Sequence, residues 1–239
     1  MAMYEAARER FGHQGWWPVF AGDAASPGKP VSADAASPGK PAEAALEVCV
    51  GAILTQNTAW SNVEKALANL RSAGRMSLGA LHETPHDELA KLIRPAGYYN
   101  VKARRLKNFI AHVHESCGDD IAAFLDRPAG TLREELLSIS GVGRETADSI
   151  ILYAAGRPTF VVDAYTARIL LRHQLIDPEA DYETIKELLE SNLPEDVELF
   201  NDFHAQFVAV GKNYCRPAAK CAGCPLEKLP HDPLAGTEN

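Results

Sequence analysis

No apolar run in this chain of 239 residues approaches the ~20 residues needed to cross a bilayer, and its N-terminus lacks the apolar core of a secretory leader. No membrane is expected as a partner, and the cytoplasm is the expected compartment. Alternating apolar and polar residues are also missing. The run Phe160-Val161-Val162 is too short and isolated to build a sheet, so β structure is not expected. Cysteine is sparse and odd in number, five in all, which excludes a disulfide framework. Cys49 and Cys117 stand alone in helical surroundings, as buried thiols would. Net positive charge is lacking too: 32 acidic residues against 24 Lys and Arg leave −8 at neutral pH. That balance argues against a surface coated for nucleic acid, but the charge is unevenly spread. Residues 94–107 carry Arg94, Lys102, Arg104, Arg105 and Lys107 with no acid among them, while 177–202 hold ten Asp or Glu against Lys186 alone. A basic face can track phosphates while the acidic one points away, although a charge run is usually a solvated face.

What is present is helical. Apolar residues recur at three- and four-residue spacing over 44–53, 61–73, 78–92, 101–116, 121–125, 132–139, 145–155, 164–171, 182–191 and 195–212, which makes the chain all-α. The octapeptide DAASPGKP occurs at 23–30 and again at 34–41. Proline, glycine and small residues bury too little surface to offset chain ordering, so 22–43 reads as a flexible repeat insert.

The densest chemistry lies at 137–163, LSISGVGRETADSIILYAAGRPTFVVD. A Gly141-Val142-Gly143 turn, followed by Arg144, separates two apolar helical segments. Two glycines let the backbone pack tightly while N–H groups point outward at a helix N-terminus. That geometry binds phosphate without reading a base. Asp163 follows twenty residues after Gly143 and closes the run Phe160-Val161-Val162, which should hold its carboxylate fixed and partly dry. A tight helix–helix turn and an N-cap aspartate are the plain structural alternatives. Together, the two features point to a backbone clamp on DNA and chemistry on a nucleotide.

GVGRETAD followed by VVDAYTARIL resembles the helix-hairpin-helix superfamily of base-excision repair glycosylases typified by endonuclease III, and the likeness runs from about Gly15 to Cys224. It implies a two-domain, all-α fold. A six-helix barrel carrying the hairpin would span 44–156; residues 1–21 plus 157–232 would form a second helical domain with a cluster loop at 215–232. The implied partner is double-stranded DNA with a damaged base, lying where hairpin and aspartate meet, and the implied state is a monomer in the bacterial nucleoid. Asp163 takes the place of the family's catalytic aspartate, which stabilises the oxocarbenium charge of a breaking glycosidic bond or activates water.

Eighteen residues earlier, where bifunctional members place a nucleophilic lysine, this chain has Glu145. A carboxylate forms no Schiff base, which points to a monofunctional glycosylase. An acid at that position is similar to the 3-methyladenine branch. Trp16, Trp17 and Pro18, with Trp60, match aromatic positions that sandwich the flipped base in that branch, and cationic alkylated purines stack well there. Two tryptophans filling a domain interface is the alternative. Gln56 occupies the family's wedge position and Asn57 stands beside the orphan base, with helix capping as the competitor. Lys102, after Tyr98-Tyr99-Asn100, resembles a phosphate contact.

Cys215, Cys221 and Cys224 crowd the tail. In the family, four cysteines with gaps of six, two and five residues hold a [4Fe–4S] cluster. Here the first gap is five, and the fourth expected place falls on Pro230, which has no ligand atom. His231 and Asp232 follow at once. The expectation is a [4Fe–4S] cluster with three thiolates and one of these two as ligand; a Cys₃His zinc site and a metal-free tail are the rivals. The resulting reading is a DNA glycosylase that hydrolyses an alkylated purine such as 3-methyladenine from deoxyribose. An endonuclease III-like glycosylase and lyase on oxidised pyrimidines, and a non-catalytic helix-hairpin-helix DNA-binding protein, are the alternatives.

Overall fold

The computed structural model describes residues 1–18 and 42–236, and no strand occurs among them. Most of the repeat insert lies outside the described residues; its last two positions, Ala42 and Glu43, instead open a helix. No helix among the described residues is long and apolar enough to cross a membrane. The chain divides into two compact units, one of residues 17–157 and one of 1–16 with 158–239.

The larger unit is built around α2 (Ala42–Thr55), which is buried from Ala44 to Leu54. A helix apolar all round belongs in a core. It packs against α3 (Trp60–Ser72), α6 (Tyr99–Cys117), α7 (Ile121–Leu125) and the helix of the glycine hairpin. The one buried acid of α2, Glu47, pairs with Arg71 at 2.6 Å. The periodic stretch 78–92 is two helices, α4 (Leu78–Glu83) and α5 (His86–Leu92). Pro85 forces the break: the residue before a proline is driven out of the helical region, and Thr84 is extended at φ −63°, ψ 122°. The hairpin comprises α8 (Ala129–Ser138) and α9 (Arg144–Ser149), which continues as a π-helical turn over Ile150–Ala154.

The smaller unit holds α1 (Ala2–Phe11), α10 (Ala164–Arg172), α11 (Tyr182–Asn192) and α12 (Val197–Asn213). The apolar face of α12 takes Phe160 between Phe200 and Phe203, with centroids 5.5 and 5.7 Å away. Each such ring contributes about 1.5–3 kcal/mol by burial. The same helix also buries Asn201, Asp202, His204 and Gln206. Three of these bind the chain after α1: Gln206 Nε2 donates to the Gly12 carbonyl at 2.6 Å, Asp202 accepts from the Gln14 amide at 2.8 Å, and Asn201 Nδ2 donates to the Trp16 carbonyl at 2.6 Å.

Candidate functional site

In the smaller unit, Asp163 stands where an unwound segment ends and α10 begins. Thr159, Phe160, Val161 and Val162 are buried, so their polar groups need partners from the protein. α11 supplies them. Glu190 Oε1 accepts from the Phe160 amide at 2.7 Å and the Thr159 hydroxyl at 3.2 Å, and the Tyr182 hydroxyl oxygen accepts from the Val162 amide at 3.4 Å. The carboxylate of Asp163 is thereby delivered in one place. Its Oδ1 caps α10, accepting from the Thr166 amide at 2.7 Å, and its Oδ2 lies 3.6 Å from His204 Nε2. Helix cap and functional group are therefore the same side chain, with one oxygen for each.

Burial is the largest influence on the Asp163 carboxyl and pushes it up. The His204 contact and charge and the Thr166 cap more than offset this, so the group sits below the ordinary carboxylate range. At neutral pH it is an anion in a nearly dry place, able to stabilise positive charge developing on a sugar. The Trp16 ring meets the His204 ring edge-on with centroids 5.6 Å apart. Trp16 thus stands with the candidate carboxylate in one unit.

Trp17 and Trp60 belong to the larger unit and touch each other edge to face at 5.2 Å. No slot for a base lies between those two rings. Trp17 is a core residue, 7% exposed, packed on Tyr153 at 5.1 Å. Trp60 is half-buried and its indole N–H donates to Glu64 at 3.0 Å. Pro18 is half-buried.

The hairpin turn is gripped from behind. Gly141 has φ +102°, and a Cβ there would lie 2.9 Å from Arg105 Cβ and closer still to its Cγ. Asn108 donates to the Ser140 carbonyl at 3.0 Å, and Gln56 Nε2 donates to the Gly141 carbonyl at 3.1 Å and to the Thr146 hydroxyl at 3.0 Å. Arg105 in turn donates to Gln56 Oε1. Both Arg133 nitrogens Nε and Nη2 bind the fully buried Asp148 carboxylate, at 2.8 and 3.1 Å, tying α8 to α9. On the outer side Gly143, Arg144 and Glu145 are exposed, Val142 is buried, and nothing lies within 4 Å of where a Gly143 Cβ would be.

Gln56, the expected wedge, is half-buried with its amide engaged by the hairpin. The exposed residue of that turn is Asn57, in the left-handed region at φ +52°. The phosphate contact expected at Lys102 is corrected. It is 2% exposed, and its ammonium donates to the carbonyls of Leu54 and Ala96, each at 2.8 Å, and to the Thr58 hydroxyl. Burial, with Arg105 nearby, lowers its pKa to about 8. A phosphate contact needs a free ammonium at the surface, and Lys102 instead pins the turns on either side of it. Tyr98, the N-cap residue before α6, is 75% exposed with φ +45°. Cys49 is buried as expected; Cys117 is partly exposed, with Arg127 Nη2 at 3.1 Å from its sulfur.

In the tail, Cys215, Cys221, Cys224 and His231 line one small pocket. Burial raises the Cys224 pKa, the Leu226 amide opposes this, and the neighbouring Cys215 and Cys221 thiols add to the rise. Arg172 Nη1 lies 3.3 Å from Cys215 Sγ. His231 Nδ1 is 2.8 Å from the Leu229 carbonyl. Asp232 does not line the pocket; its carboxylate accepts from the Leu234 amide at 2.9 Å. A single tetrahedral ion gathers its donors at ~2–2.3 Å, and no group of three His, Cys, Asp or Glu among the described residues stands that way.

Residues 50–195 match the family model of the HhH-GPD superfamily base excision DNA repair proteins. A Methanocaldococcus jannaschii protein provisionally named a DNA repair glycosylase is 43% identical over 95% of this chain and 93% of its own. This chain belongs to the HhH-GPD superfamily. The glycosylase is also 31% identical to endonuclease III of Thermotoga maritima over 71% of this chain and 74% of the relative. Among solved structures it is similar to H. pylori 3-methyladenine DNA glycosylase bound to 1,N6-ethenoadenine, with TM-score 0.63 and 29% identity over 72% of this chain and 89% of the other. A non-covalent endonuclease III–DNA complex superposes with TM-score 0.68 over 79% and 84% of the two chains; at 24% identity it shows the shared fold.

Sequence reasoning about this glycosylase missed His204 and the Arg133–Asp148 pair, and took Arg105 only as part of a basic run. The signal for His204 was available: four polar residues interrupt an otherwise apolar face of α12. The reassignment of Lys102 is testable. Lys102→Met leaves the Leu54 and Ala96 carbonyls without their donor, so urea unfolding should show a loss of about 1–3 kcal/mol. The salt dependence of DNA binding should be unchanged, whereas removing a phosphate contact would reduce its slope by about 1.

Proposed function

We propose that this glycosylase releases an alkylated purine by hydrolysis and leaves the strand uncut. The observation that carries the reading is Asp163, a nearly buried carboxylate kept anionic beside His204, on whose ring Trp16 packs. Alkylation at a ring nitrogen leaves a purine cationic and its glycosidic bond weak. An aromatic face to stack on and a fixed negative charge near the sugar then suffice. The H. pylori relative, a 3-methyladenine glycosylase by name, supports that substrate class. Acting on oxidised pyrimidines with strand cleavage is the second reading, favoured by the relative named endonuclease III. Glu145 in the exposed first turn of α9 speaks against its lyase step. Duplexes carrying 3-methyladenine, thymine glycol or an abasic site, assayed for base release with and without hot alkali, decide between them and a protein that only binds DNA.

Because Glu145 forms no imine, borohydride should trap no covalent adduct with damaged DNA, and the abasic product should remain intact until alkali cuts it. Efficient trapping at any lysine would place the protein among the lyases.

For the tail we propose an iron–sulfur cluster in preference to a lone ion. Three cysteines and one imidazole share a pocket, and soft sulfur donors select such clusters. Cys215, Cys221, Cys224 and His231 would hold it. A Nδ1–H donated to the Leu229 carbonyl leaves His231 Nε2 as the ligand nitrogen, the usual way a backbone carbonyl sets a ligand's tautomer. When bound, the cluster would serve to order the loop. Cys221→Ser should lose iron and sulfide outright, His231→Ala should lose them more slowly, and Asp232→Ala should match the unmodified protein on iron and sulfide analysis. Equal retention in the His231 and Asp232 variants would place the fourth ligand elsewhere.

A further inference from the structure

α12 does more than fill the core of the smaller unit. Its buried polar residues form a continuous set, and three of them hold the chain from Gly12 to Trp16 through backbone groups. The fourth, His204, reaches the other way, to Asp163 at 3.6 Å, with the edge-on Trp16 ring 5.6 Å from its own. The imidazole is 7% exposed and the carboxylate 12%, so neither group is solvated as it would be in water.

We propose that His204 is a positioning residue for base release: fixed against the Trp16 indole, it supplies the counter-charge that lets a buried Asp163 face the reacting sugar as a carboxylate. This rests on the reading of Asp163 above.

The physical need is plain. A carboxyl taken out of water takes up a proton unless a cation or donors compensate. The Thr166 amide reaches Oδ1, and Oδ2 depends on His204. The other ionisable groups on the surrounding elements have partners of their own. On α12, Asp202 binds the Gln14 amide and lies 3.9 Å from His13. On α1, Arg8 donates to the Tyr4 hydroxyl at 3.0 Å. On α10, Arg168 donates to the Cys215 carbonyl at 2.7 Å and Arg172 to the Arg216 carbonyl at 2.6 Å. On α11, Glu190 is bound by Lys186 at 2.5 Å and by the Phe160 amide, and Tyr182 accepts from the Val162 amide.

The sign of the effect follows. With His204 present, Asp163 stays ionised down through weakly acidic pH. Without it only the Thr166 contacts oppose burial, and the carboxyl holds its proton to higher pH. Single-turnover release of 3-methyladenine should therefore show no acid limb between about pH 5 and 8 in the unmodified protein. For His204→Gln the rate should climb with pH, its acid limb moved to higher pH. His204→Lys, which restores a cation, should return the profile toward flat. A purely structural role would lower the His204→Gln rate evenly at every pH, and that result would overturn the proposal. Should neither variant fold, ¹³C NMR of Asp163 in the unmodified protein decides. Titration below the ordinary carboxylate value supports the counter-charge, and titration above it refutes it. Full activity of Asp163→Asn would sink the proposal from a different side, by removing the assignment of Asp163 itself.

Discussion

Replacing Asp163 with Asn should slow base release by about 10²–10³-fold or more while leaving affinity for damaged DNA within a few-fold of the unmodified protein. The substitution is unusually clean here. Asn is as good an N-cap as Asp, so the bond from the Thr166 amide to Oδ1 survives and α10 keeps its start. What is lost is the charge facing His204. Asp163→Ala should add a stability loss of about 1 kcal/mol from the missing cap, which separates the two duties of the side chain. Single-turnover base release, binding titration and urea unfolding on the two variants test the separation. Turnover by Asp163→Asn near that of the unmodified protein would remove Asp163 from the chemistry.

The two hairpin glycines should behave differently from each other. Gly141→Ala should cost on the order of 2–3 kcal/mol, because its φ of +102° is strained for any side chain and the new methyl would collide with the root of Arg105. Arg105 cannot move freely, since it holds Gln56, which holds the hairpin. Gly143 has φ −96°, an ordinary value, and open space around it. Gly143→Ala should stay within about 1 kcal/mol of the unmodified protein, the small loss reflecting a poorer N-cap. It should nevertheless weaken binding to damaged and undamaged duplexes alike, because the methyl occupies space a phosphate would need to reach the backbone. Affinity equal to that of the unmodified protein would show that no phosphate approaches Gly143.

The sequence by itself determined the helical class, most helix positions and the residue types of the candidate site. Apolar spacing reports the local period directly, and α7 (Ile121–Leu125) coincides with its apolar stretch. Gly141, Gly143 and Asp163 were legible because each answers a backbone need, a positive φ, an open approach or a helix cap. The proline break at residue 85 was legible too, and periodicity alone passed over it. Only the tertiary structure decided which side chains have partners. Lys102 looked like part of a basic run, yet its ammonium closes on Leu54, Thr58 and Ala96. Gln56 looked exposed beside a turn, yet it is bound to a hairpin 85 residues away. Trp16 and Trp17 are adjacent in sequence and pack in different units, one against His204 and the other against Trp60. In each case the deciding neighbour is remote in the chain, and burial with a partner turns a charge or an amide from a surface contact into a brace. Asp163 shows both sides of this: its sequence place marks it as a cap, and the packing of α12 on α10 brings a histidine 41 residues later to 3.6 Å from its other oxygen.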